Sequence, residues 1–221
     1  MHSRIRLLTL VLAAVVLTGT DTRVGAQTRP RHGRLFAPQD LGLLEGPDRD
    51  LWQMPGPIMD ALGIAEGSVV ADLGAGGGWF TIRLARRVGP NGLVYAEDIQ
   101  RLMIEATDRR VKREGLRNVK TVLGTPSNPG LPVAALDAVL MVDTYHELDD
   151  PVALLANLAR ALKKNGRVGV VDFKKDGWGP GPPLEERVDP ELIVRDAAAA
   201  GLKLVRRETF LPYQFFLIFS R

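Results

Sequence analysis

The stretch that decides the reading is Val69-Val70-Ala71-Asp72-Leu73-Gly74-Ala75-Gly76-Gly77-Gly78-Trp79. An apolar run delivers the backbone into glycines. A helix opens directly afterwards, with Phe80, Leu84 and Val88 four residues apart. Glycine lets the turn take positive φ and lets a ligand approach the main chain closely. A strand, a glycine turn and a helix place that turn at the carboxyl edge of a parallel sheet, where such folds bind ligands.

Working outward, the alternation continues. Ser68 to Asp72, Leu93 to Glu97, Val119 to Leu123, Leu136 to Val142 and Arg167 to Phe173 read as strands. Trp79 to Val88, Arg101 to Glu114, Pro151 to Lys164 and Pro190 to Ala200 read as helices, with a short one from Pro57 to Leu62. Leu136 to Val142 is apolar on both faces, as a buried parallel strand must be. The end breaks the pattern. Leu204 to Phe210 and Gln214 to Phe219 are both strand-like, and only Leu211-Pro212-Tyr213 separates them. So short a link holds no crossover helix, and the pair is an antiparallel hairpin. The fold class is therefore α/β: a Rossmann-like, doubly wound sheet of seven strands, mostly parallel, with an antiparallel C-terminal hairpin.

Two cofactor classes use such a glycine turn. The dinucleotide fingerprint G-x-G-x-x-G is met by Gly74 and Gly76, but its third position is Trp79, which obstructs the close helix–strand packing that glycine serves. Asp72 beside the turn repels a pyrophosphate and suits a cationic amine. A turn with a purely structural purpose is the plain alternative. Asp98 stands near the spacing expected of an acid that holds ribose hydroxyls, and Ile99 after it offers an apolar wall to adenine. Glu97 competes for the ribose role.

The N-terminus divides from the rest. Arg4 and Arg6, the apolar run Leu7 to Leu17 and Val24-Gly25-Ala26 form the three parts of an export signal over residues 1–26, with the mature chain starting at Gln27. The apolar run is well short of the ~20 residues that span a bilayer. Retention as an anchor, or a start placed too early, are the other readings. The expected location is periplasmic or secreted, or cytoplasmic if the start is misplaced. Residues 27–57 are a lead-in, and 58–221 the main domain. The net charge of +3 falls further when the basic leader is removed, which gives no electrostatic case for nucleic acid. The chain has no cysteine, so thiolate metal sites and cysteine nucleophiles are excluded, and of its three histidines only His32 and His146 remain once the leader is removed, too few ligands for a zinc site.

Taken together, these motifs resemble the class I S-adenosylmethionine-dependent methyltransferases over about residues 58–219. Val70 to Gly78 looks like that family's first motif, Val94 to Ile99 its second, and Leu136 to Leu140 its fourth strand. Leu162-Lys163-Lys164-Asn165-Gly166-Arg167 is similar to the turn before its fifth strand. The small-molecule enzymes of quinone biosynthesis are the nearest type. The resemblance implies S-adenosylmethionine as cofactor and a small-molecule substrate. It places the methionine end on Asp72 and the backbone of Gly74, Ala75, Gly76 and Gly78, the ribose on Asp98, and the adenine beside Ile99, Gly124 and Thr125. The family often has an acid where Thr125 stands, which puts that contact in doubt.

Methyl transfer is an in-line displacement, and alignment of the reactants alone supplies ~7–11 kcal/mol. The candidates to act on the acceptor follow the fourth strand, in Asp143-Thr144-Tyr145-His146-Glu147. His146 has the ordinary pKa of a base near neutrality, or it caps the next helix. Tyr145 is a substrate-orienting candidate, Asp143 a cofactor contact, and Asp172 a weaker candidate on the fifth strand. Arg49, Trp52, Gln53 and Gly177 to Pro183 are candidates for a lid, or for simple packing. A non-catalytic binding module and a nicotinamide-dependent oxidoreductase are the competing functions.

Overall fold

The computed structural model describes residues 34–221. The export leader, and His32 with it, lie outside the described residues.

Seven strands form one sheet: β1 (Val69–Leu73), β2 (Leu93–Asp98), β3 (Val119–Leu123), β4 (Leu136–Val142), β5 (Leu162–Phe173), β6 (Lys203–Glu208) and β7 (Gln214–Ser220). Their order is β3-β2-β1-β4-β5-β7-β6. β1 to β5 pair in parallel, and β7 runs antiparallel between β5 and β6. The expected hairpin is present, with β7 rather than β6 docked on the parallel set. Chain order reverses at β1, so the space beyond the ends of β1, β2 and β4 is the switch point where this architecture takes ligands.

Helices α3 (Trp79–Val88), α4 (Arg101–Arg113), α5 (Pro151–Ala161) and α6 (Pro190–Ala199) follow strands 1, 2, 4 and 5. The central strands feed two cores. On one face Leu73, Val139, Met141, Leu217 and Phe219 pack under α5 and α6. On the other, Val70, Ala138, Leu140, Phe216 and Ile218 pack under α3. This two-sided apolar pattern is what the period of a buried strand requires. Side-chain oxygens of Asp150 and Asp189 accept backbone N–H groups at the starts of α5 and α6, each before a proline.

Two expectations are corrected. The helix expected over Pro151 to Lys164 ends at Ala161, and Leu162 to Lys164 already belong to β5, where Leu162 pairs with Leu136 ahead of a register shift. The lead-in also carries more order than its sequence shows. A 3₁₀ helix covers Pro38–Leu44, α1 covers Arg49–Gln53, and α2 covers Pro55–Ala61 where Pro57 to Leu62 was expected. These elements are too short to show periodicity, and tertiary contacts rather than propensity hold them.

Phe216 is fully buried at the junction of β5, β7 and α2. Phe216→Ala is expected to lower the unfolding free energy by about 3–5 kcal/mol in urea titration.

Candidate active site

The loops beyond β1, β2, β4 and β5 surround a cavity of about 620 Å³. Its floor is the glycine turn. Gly74, Gly76 and Gly78 have φ of +69°, +54° and +79°, a sequence of conformations that side chains with a Cβ resist. Neighbouring elements tie the turn down. The Thr107 hydroxyl of α4 donates to the Gly76 carbonyl at 2.8 Å, and the Gly76 N–H donates to Asp98 at 3.0 Å. Ala75 N–H donates to the Glu97 carbonyl at 2.8 Å.

Three carboxyl groups face this floor, each in a dry setting. Asp72 accepts from the Thr81 hydroxyl at 2.5 Å, and burial pushes its carboxyl up to about 6. Asp98 accepts from Gln100 N–H at 2.8 Å, and burial raises it above the usual range. Burial, and then the charge of Asp98, push Glu97 up to about 8. One Glu97 oxygen has no hydrogen-bond partner among the described residues. Glu97 and Asp98 leave β2 on opposite faces, yet both reach the cavity wall because the strand ends there.

The opposite wall is built by β4 and β5. Asp143 sits at φ +54°. His146 is buried, and its Nδ1 lies 3.1 Å from both oxygens of Asp172. Burial opposes charge on His146, but the charge and hydrogen bond of Asp172, then the charges of Glu147 and Asp143, raise it to about 9. The imidazole is therefore positively charged at neutral pH. Next to this pair stands an aromatic wall. Trp52 of α1 contacts Phe173 and Tyr213 at ring-centroid distances of 6.2 and 6.1 Å. Arg187 donates to the carbonyls of Lys174, Pro180 and Pro182, so it ties down the Gly/Pro loop that closes over these rings.

The lead-in forms the roof. The Gln100 side chain donates to the Phe36 carbonyl, Leu41 packs against Gly77, and Glu45 pairs with Arg110. Asp50 is held by Arg83 through both of its carboxylate oxygens. Arg49, Gln53, Gln214 and Asp143 form a polar ring that joins α1 to β4 and β7.

The cavity wall brings together Asp72, Gly74, Ala75, Gly76, Asp98, Ile99, Thr125, Asp143 and His146 from the sequence reading. Two residues lie elsewhere, and Thr125 lines the wall with its hydroxyl already engaged. Tyr145 is corrected: it lies in the core and its hydroxyl donates to Asp196 of α6 at 2.7 Å, so it does not line the cavity. Gly78 caps α3 and sits back against Thr107 rather than on the wall. The Thr125 hydroxyl is engaged in a turn with Asn128. Both lid candidates, α1 and the Gly177 to Pro183 loop, contribute to the wall through Arg49, Trp52 and Pro180 to Pro183. Gln214 was missed, since nothing marks a polar residue at a strand start as a site partner. Thr144, named only within its loop, packs so closely on Gly74 that a methyl group there would overlap it.

The donor set fits S-adenosylmethionine. Asp72 and Asp98 suit an ammonium and a ribose, and carboxylates at these two places would repel a pyrophosphate. Comparison with known proteins agrees. Residues 70–166 match the family model described as a methyltransferase domain. A solved S-adenosylmethionine-dependent methyltransferase from Aquifex aeolicus superposes with a TM-score of 0.79 at 30% identity, over 83% of this chain and 98% of that one. Nocamycin O-methyltransferase of Saccharothrix syringae is 32% identical over 126 residues, 57% of this chain and 42% of that protein. The ubiquinone/menaquinone biosynthesis C-methyltransferase UbiE of Marinomonas sp. (strain MWYL1) is 28% identical over 71% of this chain and 62% of that one. The chain thus spans only part of the length of these curated relatives. It belongs to the class I S-adenosylmethionine-dependent methyltransferases.

Glu97 provides a test of the site's electrostatics. Its folded pKa lies above that of the unfolded chain, so below pH 4.5 its ionisation costs nothing. As pH rises toward about 8, the unfolded state ionises first and the fold loses up to ~1.4 kcal/mol per pH unit. Glu97→Gln is expected to match wild type in stability near pH 4 and to exceed it increasingly up to pH 8, as read from urea midpoints across pH.

Proposed function

We propose that the protein transfers a methyl group from S-adenosylmethionine to a small, apolar acceptor whose reacting atom carries or develops negative charge. The observation behind this reading is that His146, held at 3.1 Å by Asp172 behind it, and an aromatic wall share one cavity with the three carboxyls of the cofactor side. The names of the two curated relatives, which describe O- and C-methyl transfer, support it. Bound here, the cofactor supplies a methyl group on a cationic sulfur that departs as a neutral thioether.

The chain's own residues then have separable tasks. Asp72 and the turn from Gly74 to Gly77 hold the amino-acid end, and Asp98 holds the ribose. Trp52, Phe173 and Tyr213 stack on a flat acceptor, and with Pro180 to Pro183 they exclude water. Asp172 keeps the His146 ring oriented and charged. The imidazolium stabilises the acceptor as its anion, which is the nucleophile an in-line displacement needs. The acceptor's proton leaves to solvent before transfer.

The export reading of residues 1–26 belongs to this proposal. An exported enzyme would draw on S-adenosylmethionine made in the cytoplasm. Sequencing the N-terminus of protein isolated from its source would test the leader: a start at Gln27 supports export, and an intact Met1 contradicts cleavage.

Two outcomes are expected. In calorimetry, Asp98→Ala weakens S-adenosylhomocysteine binding by about 10–100-fold, the scale of a charged hydrogen bond. A wild-type protein that is folded but does not bind would remove the enzymatic reading. In turnover with an identified acceptor, kcat/KM falls as pH rises through about 9, where the His146 charge is lost. His146→Gln removes that limb and lowers the neutral rate by about 10²-fold.

A further inference from the structure

Arg49 lies in α1, in the roof of the cavity. Its surroundings assign it more than packing. The residue is more than nine-tenths buried and lines the cavity. Its Nη1 donates to the Leu44 carbonyl at 2.6 Å, and its Nη2 donates to Gln53 at 3.2 Å and reaches Asp143 at 3.5 Å. Its Nε has no acceptor among the described residues. A buried guanidinium normally completes its pairing, because an unmatched charge in a dry site is costly. Among the described residues the carboxylate it reaches is Asp143, a poor counter-ion because burial pushes it up to about 7.

Position supplies the second observation. The guanidinium lies 4.4 Å from the ring centre of Trp79, the residue directly after the glycine turn. Arg83 occupies the same ring at 3.4 Å and also clamps Asp50, the neighbour of Arg49 in α1. Trp79 is thus a platform that fixes the Arg49 charge beside the turn. Asp72, across from it, is close enough for each to feel the other's charge. A cation and a carboxyl of a dry wall, on either side of one glycine turn, match a zwitterion: an ammonium facing Asp72 and a carboxylate facing Arg49.

We propose that Arg49 is the receptor for the α-carboxylate of the cofactor's amino-acid end, so that the bound cofactor completes the pairing of α1 and holds the roof down. The assignment rests on the cofactor reading above. It also accounts for a tryptophan where a dinucleotide site needs a small residue.

The test uses ligands that differ only at the amino-acid end. Dissociation constants are measured by calorimetry for S-adenosylhomocysteine, its decarboxylated analogue, and methylthioadenosine, which keeps the adenosine and lacks the amino-acid end. Wild type should bind S-adenosylhomocysteine about 10–100-fold more tightly than the decarboxylated analogue. Arg49→Gln should weaken S-adenosylhomocysteine by a similar factor, leave methylthioadenosine within about twofold, and abolish discrimination between the first two ligands. Arg49→Lys, which keeps the charge but not the fork, should fall between them. Equal wild-type affinity for the carboxylated and decarboxylated ligands overturns the proposal without any variant. A parallel loss of all three ligands in Arg49→Gln also overturns it and leaves Arg49 a packing residue. If wild type binds none of the three, the cofactor reading falls and takes this one with it.

Discussion

Between Leu73 and Trp79 the chain has to reverse from a buried strand into a helix while leaving its backbone open to the cavity. It does so with three positive-φ residues in alternation. At Gly74 the turn leaves no space for a side chain, because the loop after β4 packs Thr144 directly on it. The close approach places Asp143 and His146 opposite Asp72 and Asp98. The distance between the two halves of the site is therefore set by a missing Cβ more than by any single bond.

The second constraint is polar. Arg49, Gln53, Gln214 and Asp143 close a buried ring across three elements far apart in sequence. Such networks are strong when complete and costly when partly satisfied. Here all four links are made, but the Arg49 Nε has no acceptor among the described residues, and burial weakens the acid of Asp143. The roof is thus the element whose stability responds most to what enters the cavity. The bidentate Asp50–Arg83 pair, partly exposed, sets the register of α1 but contributes little energy by itself.

Much of the fold was legible because the governing signals are local or periodic. The alternation of apolar runs with helical spacing gave the parallel strands, and three residues between the last two runs forced the hairpin. The glycine turn and Asp98 were legible because backbone conformation and ribose recognition each need a particular residue type at a particular place. Illegible parts depend on distant partners. Leu162 to Lys164 continue a helical pattern, yet pairing of Leu162 with Leu136 makes them strand. Tyr145 sits among candidate site residues, but its hydroxyl answers to Asp196 on α6. The order of residues 34–54 comes from contacts with Gln100, Arg110, Arg83 and Gln214, none of which a local window contains.

The central claim is that the lead-in is a wall of the cofactor site and not a separate appendage. Hydrogen exchange of the protein with and without S-adenosylhomocysteine tests it most directly. The account predicts slowed exchange in residues 34–54 together with the glycine turn and the end of β2. Protection confined to the turn and β2, with exchange in 34–54 unchanged at saturating ligand, would contradict it.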